Sequence, residues 1–216
     1  MYSKELLARA EENKVSNERL ERILSVLFKK YKKIEYLDRG RHAVVLIADR
    51  KYAVKIEKEI PAAKDSVKNE AEMLKLANKN KLGPKFTFYN QELRFVVYKF
   101  VKGIFMKDYP LDRKTVLDLL EKARILDKMY MNKEEMHRPY KNIIVKKKGK
   151  VQLIDFERMK RTAKPKNVSQ LAGFFKMKGI FDDKMMKLVK EYKKEIDEKK
   201  KDKIFFEIEN LLLKCR

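Results

Sequence analysis

The chain has 216 residues, 44% of them hydrophobic, which is enough for one core or two small lobes and excludes a multidomain machine. Its 55 Lys+Arg against 32 Asp+Glu leave a formal charge of +23, so an anionic partner is expected, and the apolar fraction argues against wholesale disorder. A single cysteine, Cys215, cannot form an internal disulfide, no Cys/His cluster has metal-ligand spacing, and no apolar run approaches the roughly 20 residues of a membrane span, so a cytoplasmic protein without a membrane partner is the expectation.

Residues 2–30 read as two short helices. The second opens at Ser16 as a cap and carries Leu20, Ile23, Leu24, Leu27 and Phe28 on one apolar stripe that something must cover. From Tyr31 the period changes to short β-branched runs, KKIEYLDRG, HAVVLIAD and KYAVKIEKE, broken at Gly40 and at Asp49-Arg50, which predicts a three-stranded antiparallel meander. Residues 62–80 return to helical spacing and stop before Gly83-Pro84. FTFYN and LRFVVYKFV add two strands, a helix follows over 112–131, then an irregular KEEMHRPYK stretch, and NIIVKKK and KVQLIDF form a hairpin around Gly149; the chain beyond it is expected to be helical. The organisation is a helical extension over 1–30, a small β lobe with one helix over 31–98, a hinge at 99–103 and a mainly helical lobe over 104–216. This is an α+β plan, with the cleft between lobes as the natural place for a ligand.

Four polar residues stand out. Lys55 lies between apolar neighbours in AVKIE, and burying its ammonium requires an anion; the plainer alternative is an edge-strand lysine with its head in water. Glu70, in the helix segment KNEAEML, is a candidate for that anion or else a surface glutamate. Asn142 in KNIIV and Asp155 in LIDFE sit at the ends of short strands, where an amide oxygen and a carboxylate form a hard-oxygen pair suited to Mg²⁺; a turn Asn and a capping Asp would look the same. Gly40, between the first two strands, is either a backbone approach to phosphate or a simple hairpin turn.

Taken together and in order, the Gly40 turn, AVKIE, NEAEML, the linker after FVVY, Asn142 and Ile154-Asp155-Phe156 resemble the protein-kinase fold over residues 34–175. More closely, KNEAEMLKLANKNKLGPKF, HRPYKNIIV, LIDFER and KPKNV resemble a small archaeal family of predicted serine/threonine kinases, distantly related to the RIO kinases and to the kinase of the tRNA threonylcarbamoylation complex. The resemblance implies an atypical kinase using ATP and Mg²⁺. Lys55 would hold the α- and β-phosphates and pair with Glu70, Asp155 and Asn142 would bind the metal, and Gly40 would belong to the phosphate loop. Backbone groups at Lys99, Phe100 and Val101 would meet the adenine edge, with Tyr98 behind it.

The departures from that pattern are equally specific. Where kinases place the catalytic Asp this chain has His137, and the resemblance to the closer family assigns the base to Glu135, with Glu134 and His137 as alternatives. Glu157 stands where the Asp-Phe-Gly element has its glycine, the phosphate loop has a single glycine, and no Ala-Pro-Glu element follows. The acceptor leaves no motif: a protein, an RNA or ribonucleoprotein, or a small molecule all fit. Arg158, Lys160, Arg161, Lys164 and Lys166 are either a solvated basic face or phosphate contacts with nucleic acid, which would make the chain a weakly catalytic RNA-binding module instead.

Overall fold

The computed structural model describes residues 4–214, with side chains from residue 8 onward; Cys215 and the start of the first predicted helix lie outside the described residues. The chain divides into two compact units. One runs through Val101 and takes in Asp155–Arg158; the other holds Lys102–Ile154 and everything from Met159 onward.

The first unit is built on a five-stranded antiparallel sheet of β1 (Ile34–Arg39), β2 (Ala43–Ala48), β3 (Tyr52–Glu57), β4 (Phe86–Asn90) and β5 (Phe95–Lys99) in the order β1-β2-β3-β5-β4. The β2–β3 turn is tight because Asp49 and Arg50 both adopt positive φ, a pair of left-handed residues that matches strand twist. β3 is the central strand, with Lys55 opposite Val45 on one side and Val96 on the other. Side chains alternate across a strand, so Val54 and Ile56 point to one face with Val44, Leu46, Ala48, Phe95 and Val97, and Lys55 points to the other.

The first face is covered by α1 (Lys4–Glu12) and α2 (Asn17–Phe28), whose Leu20, Ile23, Leu24 and Leu27 are fully buried against it. Phe28, read as part of the stripe, lies at its edge and is 43% exposed. Ser16 also differs from its expected role. It occupies the cap position of α2 without a capping side-chain bond; its backbone N–H and hydroxyl donate instead to Glu59, at 2.7 and 3.3 Å. Arg19 ties the helix down further by donating to the Leu93 and Glu57 carbonyl oxygens while pairing with Glu59 at 3.3 Å.

On the opposite face lies α3 (Ser66–Asn78), packing Val67 and Ala71 against Ala43 and Val96. The predicted helix over 62–80 is broken: a short 3₁₀ turn at Pro61–Ala63 precedes Asp65, whose φ of 60° is left-handed, and α3 begins only afterwards. The buried Glu57 carboxylate accepts from Val67 N–H at 3.3 Å, so a strand residue satisfies the helix N-terminus that Asp65 leaves uncapped.

The second unit contains β6 (Ile104–Phe105), α4 (Arg113–Lys128), β7 (Met131–Asn132), β8 (Ile143–Val145), β9 (Val151–Leu153), β10 (Lys160–Arg161), α5 (Asn167–Met177), α6 (Asp183–Lys194) and α7 (Glu198–Lys214). Asp112 and Asp182 cap α4 and α6 by accepting from Thr115 and Met185 N–H, each at 2.7 Å. β8 and β9 are the expected hairpin, with β6 beside β8; the β7–β10 pair interrupts the region expected to be helical. A two-residue ladder is fixed by its partner strand rather than by any repeat in its own sequence, so no periodicity announces it.

Buried polar groups hold this unit's helices together. Asp127 on α4 accepts from Asn167 N–H and Nδ2 and from Tyr192 Oη, at 3.0, 2.7 and 2.8 Å; burial still pushes its carboxyl above the ordinary range. Arg124 on the same helix reaches Tyr192, Glu198 and Asp202.

The docking of α2 is testable. Leu24→Ala, at a buried site, is expected to cost about 2–5 kcal/mol in urea unfolding, and Phe28→Ala less than about 0.5 kcal/mol. Equal losses would contradict the packing described.

Candidate active site

The site grows from one lysine. Lys55 is 8% exposed on the α3 face of the sheet. Its ammonium lies 2.5 Å from Glu70 Oε2, 3.0 Å from Asp155 Oδ1 and 3.0 Å from Glu157 Oε2. Glu70, on the buried face of α3, is 1% exposed, and Asp155 and Glu157 are brought in by the Asp155–Arg158 segment that folds with this unit. Burial by itself would lower the lysine's pKa, but Glu70, then Asp155 and Glu157, hold it well above the ordinary value, so Lys55 is charged. Glu70 is pushed upward by burial, which outweighs the pull of Lys55.

The segment after β9 is anchored by three contacts. Phe156 is fully buried, with its N–H directed at Glu70 Oε1 at 3.5 Å. Asn69 Nδ2 donates to the Glu157 carbonyl. Glu157 Oε1 accepts from His42 Nδ1 at 2.8 Å; a carboxylate can only accept here, so Nδ1 carries the proton. Asp155 itself has a φ of 60°, a left-handed backbone sparsely used outside glycine. Non-glycine residues held in such conformations concentrate at functional positions.

Gly83 makes this anchoring possible. A Cβ there would fall 2.5 Å from Leu74 Cδ1 and 2.8 Å from Phe156 Cε2, so only glycine lets the chain pass between the α3 side chain and the Phe156 ring.

In the second unit, Asn142 and Glu135 are in contact: Asn142 Nδ2 donates to Glu135 Oε2. This fixes the amide so that Oδ1 is its oxygen on the other branch, a hard acceptor of the kind Mg²⁺ takes. The β8–β9 ladder extends one step, Ile154 N–H donating to Asn142 O at 3.0 Å, which sets Asn142 opposite the residue preceding Asp155. Glu135, like Asp155, has positive φ, at 70°. Glu134 instead pairs with Lys160 at 3.0 Å, and His137 is exposed. Of the three candidate bases, Glu135 is the one bonded by Asn142 Nδ2.

Below this loop lies a support that the sequence reading missed. Asn167, fully buried at the start of α5, accepts from Lys133 N–H at 2.9 Å and donates to the Met131 carbonyl at 2.7 Å while bonded to Asp127. It clamps the backbone that leads into Glu134 and Glu135. Asn167 stands in KPKNV, one of the segments that carry the family resemblance, but that resemblance gave it no role, and its place at a helix start was the other signal. His42 and Asn69 were missed as well; His42 offered a signal, being one of two histidines and lying two positions beyond Gly40.

Gly40 N–H donates to the Ala43 carbonyl at 2.8 Å, closing the hairpin turn; a Cβ there would meet only the Ala43 oxygen at 3.7 Å. The N–H groups of Lys99 and Phe100 donate to the Lys85 and Lys51 carbonyls at 2.8 and 2.9 Å, and the Lys99 ammonium bonds Tyr52 Oη at 2.9 Å. Tyr98 is half-buried, and its hydroxyl is pushed upward in pKa by burial and by Glu70.

Glu70, Asp155 and Glu157 bring carboxylate oxygens within 4.8 Å of one another around the Lys55 ammonium, and Asp155, the most exposed of the three, is the one whose hard oxygens suit Mg²⁺. Among the described residues no helix is long and apolar enough to cross a membrane.

No protein-family profile and no curated protein matches the chain. Solved structures do. The chain is similar to WbdD, solved with the kinase inhibitor LY294002, at 17% identity and a TM-score of 0.62 over 84% of this chain and 46% of that one. It is also similar to the Rio2 kinase of Chaetomium thermophilum, solved as an ADP/Mg²⁺-phosphoaspartate complex, at 14% identity and a TM-score of 0.52 over 73% of this chain and 60% of that one. The chain thus spans less than two thirds of either, and the fold is protein-kinase-like.

The Gly83 passage generates a paired prediction. Gly83→Ala is expected to lose about 1–3 kcal/mol to overpacking. Gly173→Ala, in the interior of α5 with nothing within 4 Å of the new Cβ, is expected to gain about 0.5–1 kcal/mol. Thermal and urea unfolding of both variants check the contrast.

Proposed function

We propose that the chain is an ATP- and Mg²⁺-dependent phosphotransferase. The observation that carries this reading is the Lys55–Glu70 ion pair with Asp155 on the same ammonium, set on a protein-kinase-like fold. A buried, protonated lysine held by a helix glutamate is suited to the α- and β-phosphates, and Asp155 beside it to the cation that bridges phosphate oxygens. Asn142, its amide oriented by Glu135, is the second metal ligand in this reading.

Glu135 is the base. Its carboxylate is held by Asn142 on a loop clamped by Asn167, and it takes the proton of an acceptor hydroxyl as that oxygen attacks the γ-phosphorus. The acceptor class we propose is a serine or threonine hydroxyl on a protein, following the motifs that resemble the predicted archaeal kinases and, at a distance, the RIO kinases. The net charge of +23 favours a second reading of the partner, an RNA or ribonucleoprotein held through phosphate contacts, whose binding would weaken steeply with salt.

Transfer of labelled γ-phosphate, to the chain itself or to a protein acceptor, tests the activity. Lys55→Ala and Asp155→Asn are expected to lower kcat at least about 100-fold with the fold retained by circular dichroism, and Glu135→Gln about 10²- to 10⁴-fold. Undiminished transfer in Asp155→Asn would refute the assignment.

A further inference from the structure

An ammonium group has three N–H donors and no acceptor. Lys55 has three carboxylate partners, Glu70 at 2.5 Å and Asp155 and Glu157 at 3.0 Å each, so its donors are filled by the protein's own side chains. A phosphate oxygen can bond Lys55 only after one of the three leaves. Glu70 is fixed on α3 and almost fully buried, and its second oxygen faces Phe156 N–H.

Glu157 is held from three directions. One carboxylate oxygen is on Lys55, the other accepts from His42 Nδ1 at 2.8 Å, and its carbonyl accepts from Asn69. Its side chain is 11% exposed, against 38% for Asp155. Asp155, the most exposed of the three carboxylates, is the one a divalent cation arriving with the nucleotide would reach and draw away.

From this geometry we propose, resting on the nucleotide site described above, that Glu157 makes phosphate binding at Lys55 conditional on the cation. With Glu157 held on the ammonium, a nucleotide without metal meets a saturated lysine and three carboxylates. When Mg²⁺ accompanies the nucleotide, Asp155 shifts its oxygen to the metal, one Lys55 donor is released, and the phosphate takes it. A glycine at position 157 would leave that donor open at all times, so the glutamate replaces an open site with a metal-gated one. His42 is a positioning residue in this scheme, acting through Glu157.

The test is a titration of fluorescent methylanthraniloyl-ADP into the full chain with Mg²⁺ and, separately, with EDTA. Wild type is expected to bind at least about tenfold more tightly with Mg²⁺. Glu157→Ala is expected to gain about tenfold in metal-free affinity, narrowing that ratio. His42→Ala, which releases only the far oxygen of Glu157, is expected to move the ratio in the same direction by less, and decides the matter if Glu157→Ala does not melt cooperatively. An unchanged ratio overturns the inference. So does loss of Mg²⁺-nucleotide binding in Glu157→Ala with metal-free binding unaltered, which would make Glu157 a cation ligand. Wild type that binds no nucleotide under either condition removes the nucleotide site itself, and the inference with it.

Discussion

The ion pair between Lys55 and Glu70 is the constraint around which the first unit is arranged. A buried ammonium without an anion costs several kcal/mol, and a buried carboxylate is no cheaper, so β3 and α3 must meet at one register. That register depends on the left-handed break at Asp65, which starts α3 late enough to present Glu70, Val67 and Ala71 to the sheet together. Glu57 reinforces it from the strand side by accepting the Val67 amide. The pair alone would be electrically balanced; Asp155 and Glu157 add two carboxylates to one lysine, an excess of negative charge suited to a cation.

The two faces of the sheet serve different ends. One is apolar throughout and is sealed by α2, where each buried leucine or isoleucine contributes about 1.5–3 kcal/mol. The other carries Lys55 among small and β-branched residues and receives the Asp155–Arg158 segment. Because β3 is central and paired on both sides, the lysine's backbone is fixed by two ladders. The loop carrying Glu135 is fixed differently: two-residue strands offer little pairing, and Asn167 supplies the missing bonds to Met131 and Lys133 while Asp127 and Tyr192 fix Asn167. A carboxylate one methylene longer than aspartate needs such support to hold one position.

Much of this was legible in the sequence, and the unreadable parts share a cause. The meander, the Lys55 strand and the Glu70 helix are long, periodic and bounded by turn residues, and the β8–β9 hairpin is bounded by Asn142 and Asp155. Lys55 stood out because it is charged among apolar neighbours, and Glu70 as the anion that such a lysine needs. By contrast, β7 and β10 exist only by pairing with each other, and the contact between His42 and Glu157 joins residues far apart in the chain. At Gly40 a hairpin and a phosphate loop require the same residue, and the Ala43 carbonyl on its N–H shows the hairpin. The bonding of the Lys99 and Phe100 amides depends on Lys85 and Lys51, which no motif places beside them.

The proposed phosphotransferase requires a magnesium-nucleotide site at Lys55 and Asp155, and calorimetric titration of ATP with Mg²⁺ into wild type and Asp155→Asn reads it out. Wild type is expected to bind saturably and Asp155→Asn to lose binding while still melting cooperatively; equal affinity in the two proteins, or no heat in wild type, would refute the site.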